Sequence, residues 1–350
     1  MRSTDTNEFK SRGPIPTALV TGGAGYIGSH VALALLDAGW RVVVLDDLST
    51  GRRELVPLAA SFHRGDVGDR ELVTSILRRH ACAAVLHFAG SIQVAESMVD
   101  PLKYFGNNTT KSTILLEACR AARVNAFVFS SSAAVYGAPE RMPIGEDTPT
   151  QPLNPYGRSK LMTEWVLEDV ARAHGLCYVS LRYFNVAGAD PAGRTGQAGP
   201  EATHLIKVAS EVAVGSRLSM EVFGTDYPTP DGTAVRDYIH VSDLADAHLV
   251  ALRHLIDGGE SLILNCGYGH GYSVREVIAM AEKVAGRPIP VRDSARRAGD
   301  PPILIADPSR LVSRFGWQPR FDDLETIVTT AIAWERRLAA RGPAARAGGV

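Results

Sequence analysis

Tyr156 and Lys160 stand four residues apart in Tyr156-Gly157-Arg158-Ser159-Lys160, a spacing that puts both side chains on one face of a helix. A free phenol ionises near pH 10, too high for a base at neutral pH. Positive charge nearby, such as an ammonium, favours the phenolate, and with it in place Tyr156 becomes a general base for a substrate hydroxyl. Ser132 ends the run Phe127-Val128-Phe129-Ser130-Ser131-Ser132, where it can hydrogen-bond the same hydroxyl and steer its proton toward the phenolate. Alone, a Tyr-x-x-x-Lys pair is most often two solvated side chains, and a strand-end serine most often makes local turn bonds. The set gains meaning only behind a nucleotide-binding element.

Such an element is Thr21-Gly22-Gly23-Ala24-Gly25-Tyr26-Ile27-Gly28, which follows the apolar run Ile15 to Val20 and opens the apolar-periodic stretch Ile27 to Leu36. Gly22 permits a tight strand-to-helix turn, Gly25 lets backbone approach a pyrophosphate, and Gly28 lets the helix pack closely on the sheet. The helix start around Tyr26 and Ile27 adds amide donors and partial positive charge. The next strand, Arg41 to Leu45, ends in Asp46-Asp47, about twenty residues past the glycines, where an acid takes the adenosine ribose hydroxyls. Asp46 therefore favours NAD over NADP, while Arg52 and Arg53 leave a 2′-phosphate open.

The elements that must position these residues follow a βαβ rhythm. Strand-like runs at Ala18–Val20, Arg41–Leu45, Ala84–Phe88, Ala126–Ser130 and Cys177–Arg182 alternate with helical patterns such as Leu72–Arg79 and Thr109–Ala122. This predicts an α/β fold: a doubly wound parallel-sheet (Rossmann) NAD-binding domain over 15–185. Beyond Asn185 the pattern loosens into Gly188–Pro200 and Tyr227–Gly232, with helices near Leu205–Val214 and Val241–Leu255. A smaller mixed α/β substrate lobe is expected over 186–340, with segments returning to the first domain. Residues 1–14 and 341–350 read as a flexible arm and tail.

With 350 residues, 45% hydrophobic content and a formal charge of −1, the chain reads as a soluble globular enzyme. It has no basic block for nucleic acid or an anionic membrane. No apolar run reaches the roughly eighteen residues of a membrane span, and the N-terminal residues lack the apolar core of a signal peptide. Cys82, Cys119, Cys177 and Cys266 are scattered without metal-ligand spacing, so reduced thiols, a cytoplasmic location and no bound metal are expected.

Together, Thr21–Gly28, Ser130–Ser132, Tyr156–Lys160 and Arg182-Tyr183-Phe184-Asn185 resemble the extended short-chain dehydrogenase/reductases, and within them the UDP-glucose 4-epimerase family. The resemblance runs from about Ala18 to Trp334. It includes His87-Phe88-Ala89-Gly90, Val135-Tyr136-Gly137, Phe223-Gly224-Thr225-Asp226-Tyr227, Val235-Arg236-Asp237-Tyr238-Ile239-His240 and Arg296-Arg297-Ala298-Gly299-Asp300. It implies that Tyr156 takes the 4-hydroxyl proton of a UDP-hexose while carbon 4 gives hydride to tightly held NAD. The 4-keto sugar then turns its other face and takes the hydride back, interconverting UDP-galactose and UDP-glucose. Positions matching Asp47, Asp66, Val67, Phe88, Ala89, Gly90, Asn107, Ser130, Lys160 and Tyr183 would complete the NAD site. Those matching Asn185, His204, Leu205, Phe223, Arg236, Arg297, Asp300 and Leu304 would join Ser132 and Tyr156 in holding the UDP-sugar. Two arginines suit a diphosphate, because each planar fork donates in pairs. The resemblance also implies a homodimer packed through Thr109–Ala122 and Tyr156–Ala173.

Four positions depart from the family pattern. Ala134 stands where many relatives carry Thr, and Ser91-Ile92-Gln93 replaces a version with a Lys near the cofactor ribose. Thr203-His204-Leu205 replaces Asn-Asn-Leu. Leu304 is intermediate between a bulky Tyr that excludes N-acetylated sugars and smaller residues that admit them. A UDP-xylose/UDP-arabinose 4-epimerase, a UDP-N-acetylhexosamine 4-epimerase and a net dehydrogenase remain open. A 4,6-dehydratase would carry Asp-Glu where Ala133 and Ala134 stand. A non-catalytic NAD-sensing protein would commonly have lost Tyr156 or Lys160.

Overall fold

Aliphatic and β-branched runs covered on both faces make the centre of the molecule, as a parallel sheet requires. The computed structural model describes residues 15–199, 203–297 and 300–341; the arm over 1–14 and the tail from 342 lie outside the described residues. The first half of the chain alternates β1 (Thr17–Thr21), α1 (Tyr26–Asp37), β2 (Arg41–Asp46), β3 (Ser61–Arg64), α2 (Arg70–Arg79), β4 (Cys82–His87), α3 (Val94–Val99), α4 (Pro101–Tyr104), α5 (Lys111–Ala122), β5 (Ala126–Ser132), α6 (Pro155–His174) and β6 (Cys177–Tyr183). The second half has short strands β7 (Asn185–Ala187), β8 (Met220–Phe223), β9 (Val235–Arg236), β10 (Tyr238–His240), β11 (Leu262–Cys266), β12 (Tyr272–Ser273), β13 (Val291–Ser294) and β14 (Ile303–Leu304). Its helices are α7 (Leu205–Ala213), α8 (Val241–Ile256), α9 (Val274–Ala285), α10 (Ser309–Phe315) and α11 (Leu324–Ala340).

Seven strands form one parallel sheet in the order β11-β6-β5-β4-β1-β2-β3. The chain winds outward from β1 to β3, then crosses back to β4 and winds the other way. The crevice between the carboxyl ends of β1 and β4 is thus the switch point where doubly wound sheets bind ligands. One face buries Val31, Leu35, Leu244 and Leu252 of α1 and α8 against Val20, Val44 and Leu86. The other buries Val73, Leu77, Leu115 and Leu167 of α2, α5 and α6 against Leu19, Val85 and Phe127. A third cluster joins α7, α9 and α11 beneath the small sheets of the second half.

Two strands of the sheet carry little sequence signal. β3 reads Ser-Phe-His-Arg with exposed ends, because an edge strand needs no continuous apolar run. β11 follows the Gly258–Gly259 turn and returns to pair with β6. Helix α5 begins at Lys111 rather than Thr109, since 105–110 winds as a π-helical turn, a form common at functional sites.

Candidate active site

The glycine loop connects β1 to α1 at the switch point. Gly22 has φ +69°, and a Cβ there would lie 2.6 Å from the Ala89 amide nitrogen; at Gly28 it would lie 2.3 Å from the Gly22 carbonyl. The chain therefore needs glycine at both places to bring β4's end, the loop and α1 together. Gly25 precedes α1 as its cap and has no side chain to bond the first amides, leaving those from Tyr26 on available to an anion. This cradle fits a dinucleotide pyrophosphate.

Asp46, at the end of β2, accepts from the amides of Ala24 and Leu48 at 2.9 Å each, and burial pushes its pKa up. Each carboxylate oxygen keeps a second acceptor site for a ribose hydroxyl. Asp47 is exposed and bonds the amide and hydroxyl of Ser49 at 2.8 and 2.6 Å, a local turn. Arg53 lies 4.6 Å above the Phe62 ring and buried Arg52 sits beside Glu54, so both arginines are engaged within the protein. Beyond β3, Asp66 accepts from Lys111 Nζ at 2.6 Å and the Gly68 amide at 2.7 Å, and buried Val67 follows. Phe88, Ala89 and Gly90 leave the end of β4. Asn107 donates to Ser91 Oγ at 3.1 Å.

Ser132, Tyr156 and Lys160, singled out in the sequence, converge at the end of β5. Asn154 caps α6 by accepting from the Gly157 amide at 2.8 Å, and Pro155 opens its first turn, which aims Tyr156 at the strand end. Ser132 accepts from the Ala134 amide at 3.2 Å, and its hydroxyl favours the ionised form of the Tyr156 phenol. Lys160 is 4% exposed; its Nζ donates to the Ser130 carbonyl at 2.8 Å and lies 6.0 Å from the Tyr156 ring centre. Burial pulls Lys160 down to about 8 and pushes Tyr156 up, partly offset by the Ser132 hydrogen bond. Tyr183 is hydrogen-bonded to Ser130 Oγ on the neighbouring strand. Spacing alone had paired Tyr156 with Lys160; in the fold the ammonium is anchored on backbone and reaches the phenol through space.

The second half supplies a further group around β8, β9 and β14. Arg236 Nη2 donates to Asp300 at 2.5 Å and to the Pro301 carbonyl at 2.8 Å, while Nη1 donates to the carbonyls of Val235 and Pro302 at 2.8 and 3.3 Å. Among the described residues its fork is thus engaged, with Nε–H left for another acceptor. Arg297 lies 4.0 Å over the Phe223 ring. Leu304 pairs with Arg236 in register and packs on the cluster of Ala133, Val135 and Tyr136 just past Ser132, which links this group to the end of β5. Asn185, His204 and Leu205 line a different space: a cavity of about 20 Å³, room for one water and far below the volume of a nucleotide site. His204 bonds Gln197 at 2.9 Å.

Three residues not singled out in the sequence matter to this geometry. Buried Asn108 accepts from the Ser91 amide at 2.7 Å and donates to the Ser91 carbonyl and Ser159 Oγ at 2.9 Å each, tying the loop after β4 to α6. Tyr104 stands edge-on to Tyr156 with ring centres 6.3 Å apart. His248 of α8 lies 4.9 Å from the Phe88 ring and 6.0 Å from Tyr183, backing both. Both adjacent asparagines of the π turn reach Ser91, and Asn108 also reaches α6 through Ser159, a distinction residue type does not carry.

The sequence pattern of the NAD dependent epimerase/dehydratase family matches residues 18–267. The UDP-glucose 4-epimerase of Azospirillum brasilense is 60% identical over 323 residues, which are 92% of this chain and 93% of that one. The crystal structure of UDP-glucose 4-epimerase from Brucella ovis in complex with NAD is similar with a TM-score of 0.89 at 47% identity, over 91% of this chain and 98% of its own. That from Bifidobacterium longum in complex with NAD+ and UDP gives 0.87 at 38% identity, over 92% and 98%.

Proposed function

The chain belongs to the NAD dependent epimerase/dehydratase family, and on that premise we propose how its own residues carry out the reaction. It catalyses NAD-dependent inversion at carbon 4 of a UDP-hexose, interconverting UDP-galactose and UDP-glucose. The observation that carries the mechanism is the meeting of Ser132, Tyr156 and Lys160 at the carboxyl edge of the sheet, beside a glycine cradle shaped for a dinucleotide. NAD, held by the loop from Gly22 to Gly28 and by Asp46, would supply the hydride acceptor and donor for carbon 4.

The protein's part is proton handling and placement. Burial alone disfavours the Tyr156 phenolate, so it forms only with positive charge beside it; Lys160 supplies one such charge from its seat on Ser130. The Ser132 hydroxyl favours the ionised phenol and would relay the 4-hydroxyl proton to it. Gly22 to Gly28, Asp46, Asp66, Phe88 to Gly90 and Asn107 hold the cofactor. Arg236 and Arg297 meet the diphosphate and Phe223 the base. For Arg236 to fork a phosphate it must release Asp300 and Pro301, so the substrate exchanges one anion for another at that guanidinium. Leu304 borders the sugar.

A homodimer is supported by an uncovered apolar face. Val99 and Leu102 are 86% and 80% exposed on α3 and α4, and Met98, Met162 and Trp165 lie exposed on α3 and α6. Leu115 and Leu116 of α5 instead face their own sheet. Among the described residues no helix is long and apolar enough to cross a membrane; free thiols at Cys82, Cys119, Cys177 and Cys266 support residence in a reducing cytoplasm.

Proton NMR of the protein with UDP-galactose and no added NAD tests the mechanism: anomeric signals of UDP-glucose should grow in. Tyr156→Phe should slow this by roughly 10²–10⁴-fold while leaving bound nicotinamide detectable. Full activity in that variant would remove Tyr156 as the base.

A further inference from the structure

An ion pair that touches neither the cofactor cradle nor the substrate group lies one helical turn beyond Lys160. Glu164 of α6 and Arg182 of β6 are 2% and 5% exposed. Arg182 donates from Nε and Nη2 to the two Glu164 oxygens at 2.9 and 2.6 Å, a two-pronged pairing. Its Nη1 donates to the Tyr136 hydroxyl at 3.0 Å, and Tyr136 donates to Asn265 Oδ1 at 2.7 Å. Asn265 closes the chain on the Ile144 carbonyl at 2.7 Å. On the near side Ser131 donates to Glu164 Oε1 at 2.6 Å. Apolar residues of equal volume commonly hold a core as well as a buried ion pair does, so this pair is explained poorly by stability alone.

Ser131 stands between the two residues that matter most. The carbonyl of Ser130 seats the Lys160 ammonium, and the hydroxyl of Ser132 favours the ionised form of Tyr156. We propose that Glu164 is a positioning residue for the epimerisation: it clamps Ser131 so that Ser130 and Ser132 keep their registers on Lys160 and Tyr156, and it keeps a negative charge beside the Lys160 ammonium. The groups around that ammonium are Tyr156 and Glu164 on α6, His87 on β4, Arg182 and Tyr183 on β6, and Tyr104 of α4 beside Tyr156. Burial draws Lys160 down, and the Glu164 charge opposes it. The inference rests on Tyr156 being the base.

Two variants separate the clamp from the charge. Ser131→Ala removes only the tether; kcat should fall roughly tenfold with KM within about twofold, since a small misplacement of reacting groups suffices for such a loss. Glu164→Gln combined with Arg182→Met removes both charges without leaving one alone. Its kcat–pH profile should lose activity on the alkaline side at lower pH than the wild type, because the ammonium is then lost earlier. An unchanged kcat in Ser131→Ala overturns the clamp, and an unchanged alkaline limb in the double variant overturns the charge role. If the double variant does not fold, Glu164→Gln alone is used for the pH profile. Tyr156→Phe is run alongside: if it stays active the base assignment fails, whereas an inactive Tyr156→Phe with wild-type behaviour in the other variants defeats only the present inference.

Discussion

Gly28→Ala adds one methyl group where the structure has no room for it. The new Cβ would stand 2.3 Å from the Gly22 carbonyl oxygen and 2.9 Å from Gly22 C and Gly23 Cα, all backbone atoms of the cradle. Reaching ordinary contact requires α1 and the loop to part by about 1 Å, and neither moves freely. Val31, Ala32 and Leu35 of α1 are 1% exposed or less against the sheet, and Gly22 itself abuts Phe88 and Ala89. Overpacking of this kind costs about 1–3 kcal/mol. The same displacement moves the first amides of α1 away from a pyrophosphate, so cofactor retention should fall by about tenfold or more, each factor of ten being about 1.4 kcal/mol. The control is Gly106→Ala in the helical run before α5, where an added Cβ meets nothing within 4 Å; it should be neutral or stabilise by about 0.4–1 kcal/mol. Urea unfolding with and without added NAD, together with the NAD content of the purified protein, measures both effects. If Gly28→Ala matches the wild type in stability and cofactor content, the close-packing argument for the cradle is wrong.

Further predictions rest on other parts of the molecule. Burial draws His30 and His248 down to about 4 and His87 and His240 down to about 3, so each binds its proton more weakly folded than unfolded. Their contribution is fully present above the unfolded value near 6.5 and is lost as pH falls toward the folded values, at about 1.4 kcal/mol per pH unit for each proton; Asp237, raised to about 6, opposes this in part. Urea midpoints should therefore drop between about pH 6.5 and 5, and a flat or rising curve would contradict the burial of these imidazoles. Leu304→Tyr should lower kcat/KM for a UDP-N-acetylhexosamine by about tenfold more than for UDP-galactose, within the range one pocket contact supplies; equal losses would place Leu304 away from the sugar. Trp165→Glu should convert a dimer to a monomer by light scattering, and an unchanged mass would show that this face is not the interface.

Which features were legible in the sequence follows from how local their physics is. The cradle is legible because Gly22 and Gly28 answer to steric demands within one turn, and Tyr156 with Lys160 because helix periodicity places them together. Asp46 is legible as the residue at a strand's carboxyl end. Strand β3 was not, since an edge strand of Ser-Phe-His-Arg needs no apolar pattern, and β11 was not, since only its distant partner β6 tells it from a loop. Contacts across the fold were hidden for the same reason. Asn108 reaches Ser159 across 51 residues of chain, and the backing of Phe88 by His248 depends on α8 returning to the first sheet.

The arginines show where residue type stops being informative. Two planar cations near a strand end suggest a diphosphate, and that inference concerns charge alone. In the fold Arg236 already spends its fork on Asp300, Pro301 and the carbonyls of Val235 and Pro302, and Arg297 covers the face of Phe223 on which a base would stack. These internal partners stabilise a buried cation, Arg236, and an exposed one, Arg297, when no phosphate is near, and on the proposed reading each would be exchanged for a substrate group on binding. The binding free energy of a UDP-sugar is therefore a difference between two sets of charge-assisted bonds. Replacing Asp300 by Asn would weaken the internal set while leaving the external one whole, so it should lower the Kd for UDP, measured calorimetrically; a raised Kd would show instead that Asp300 orients Arg236 toward the phosphates.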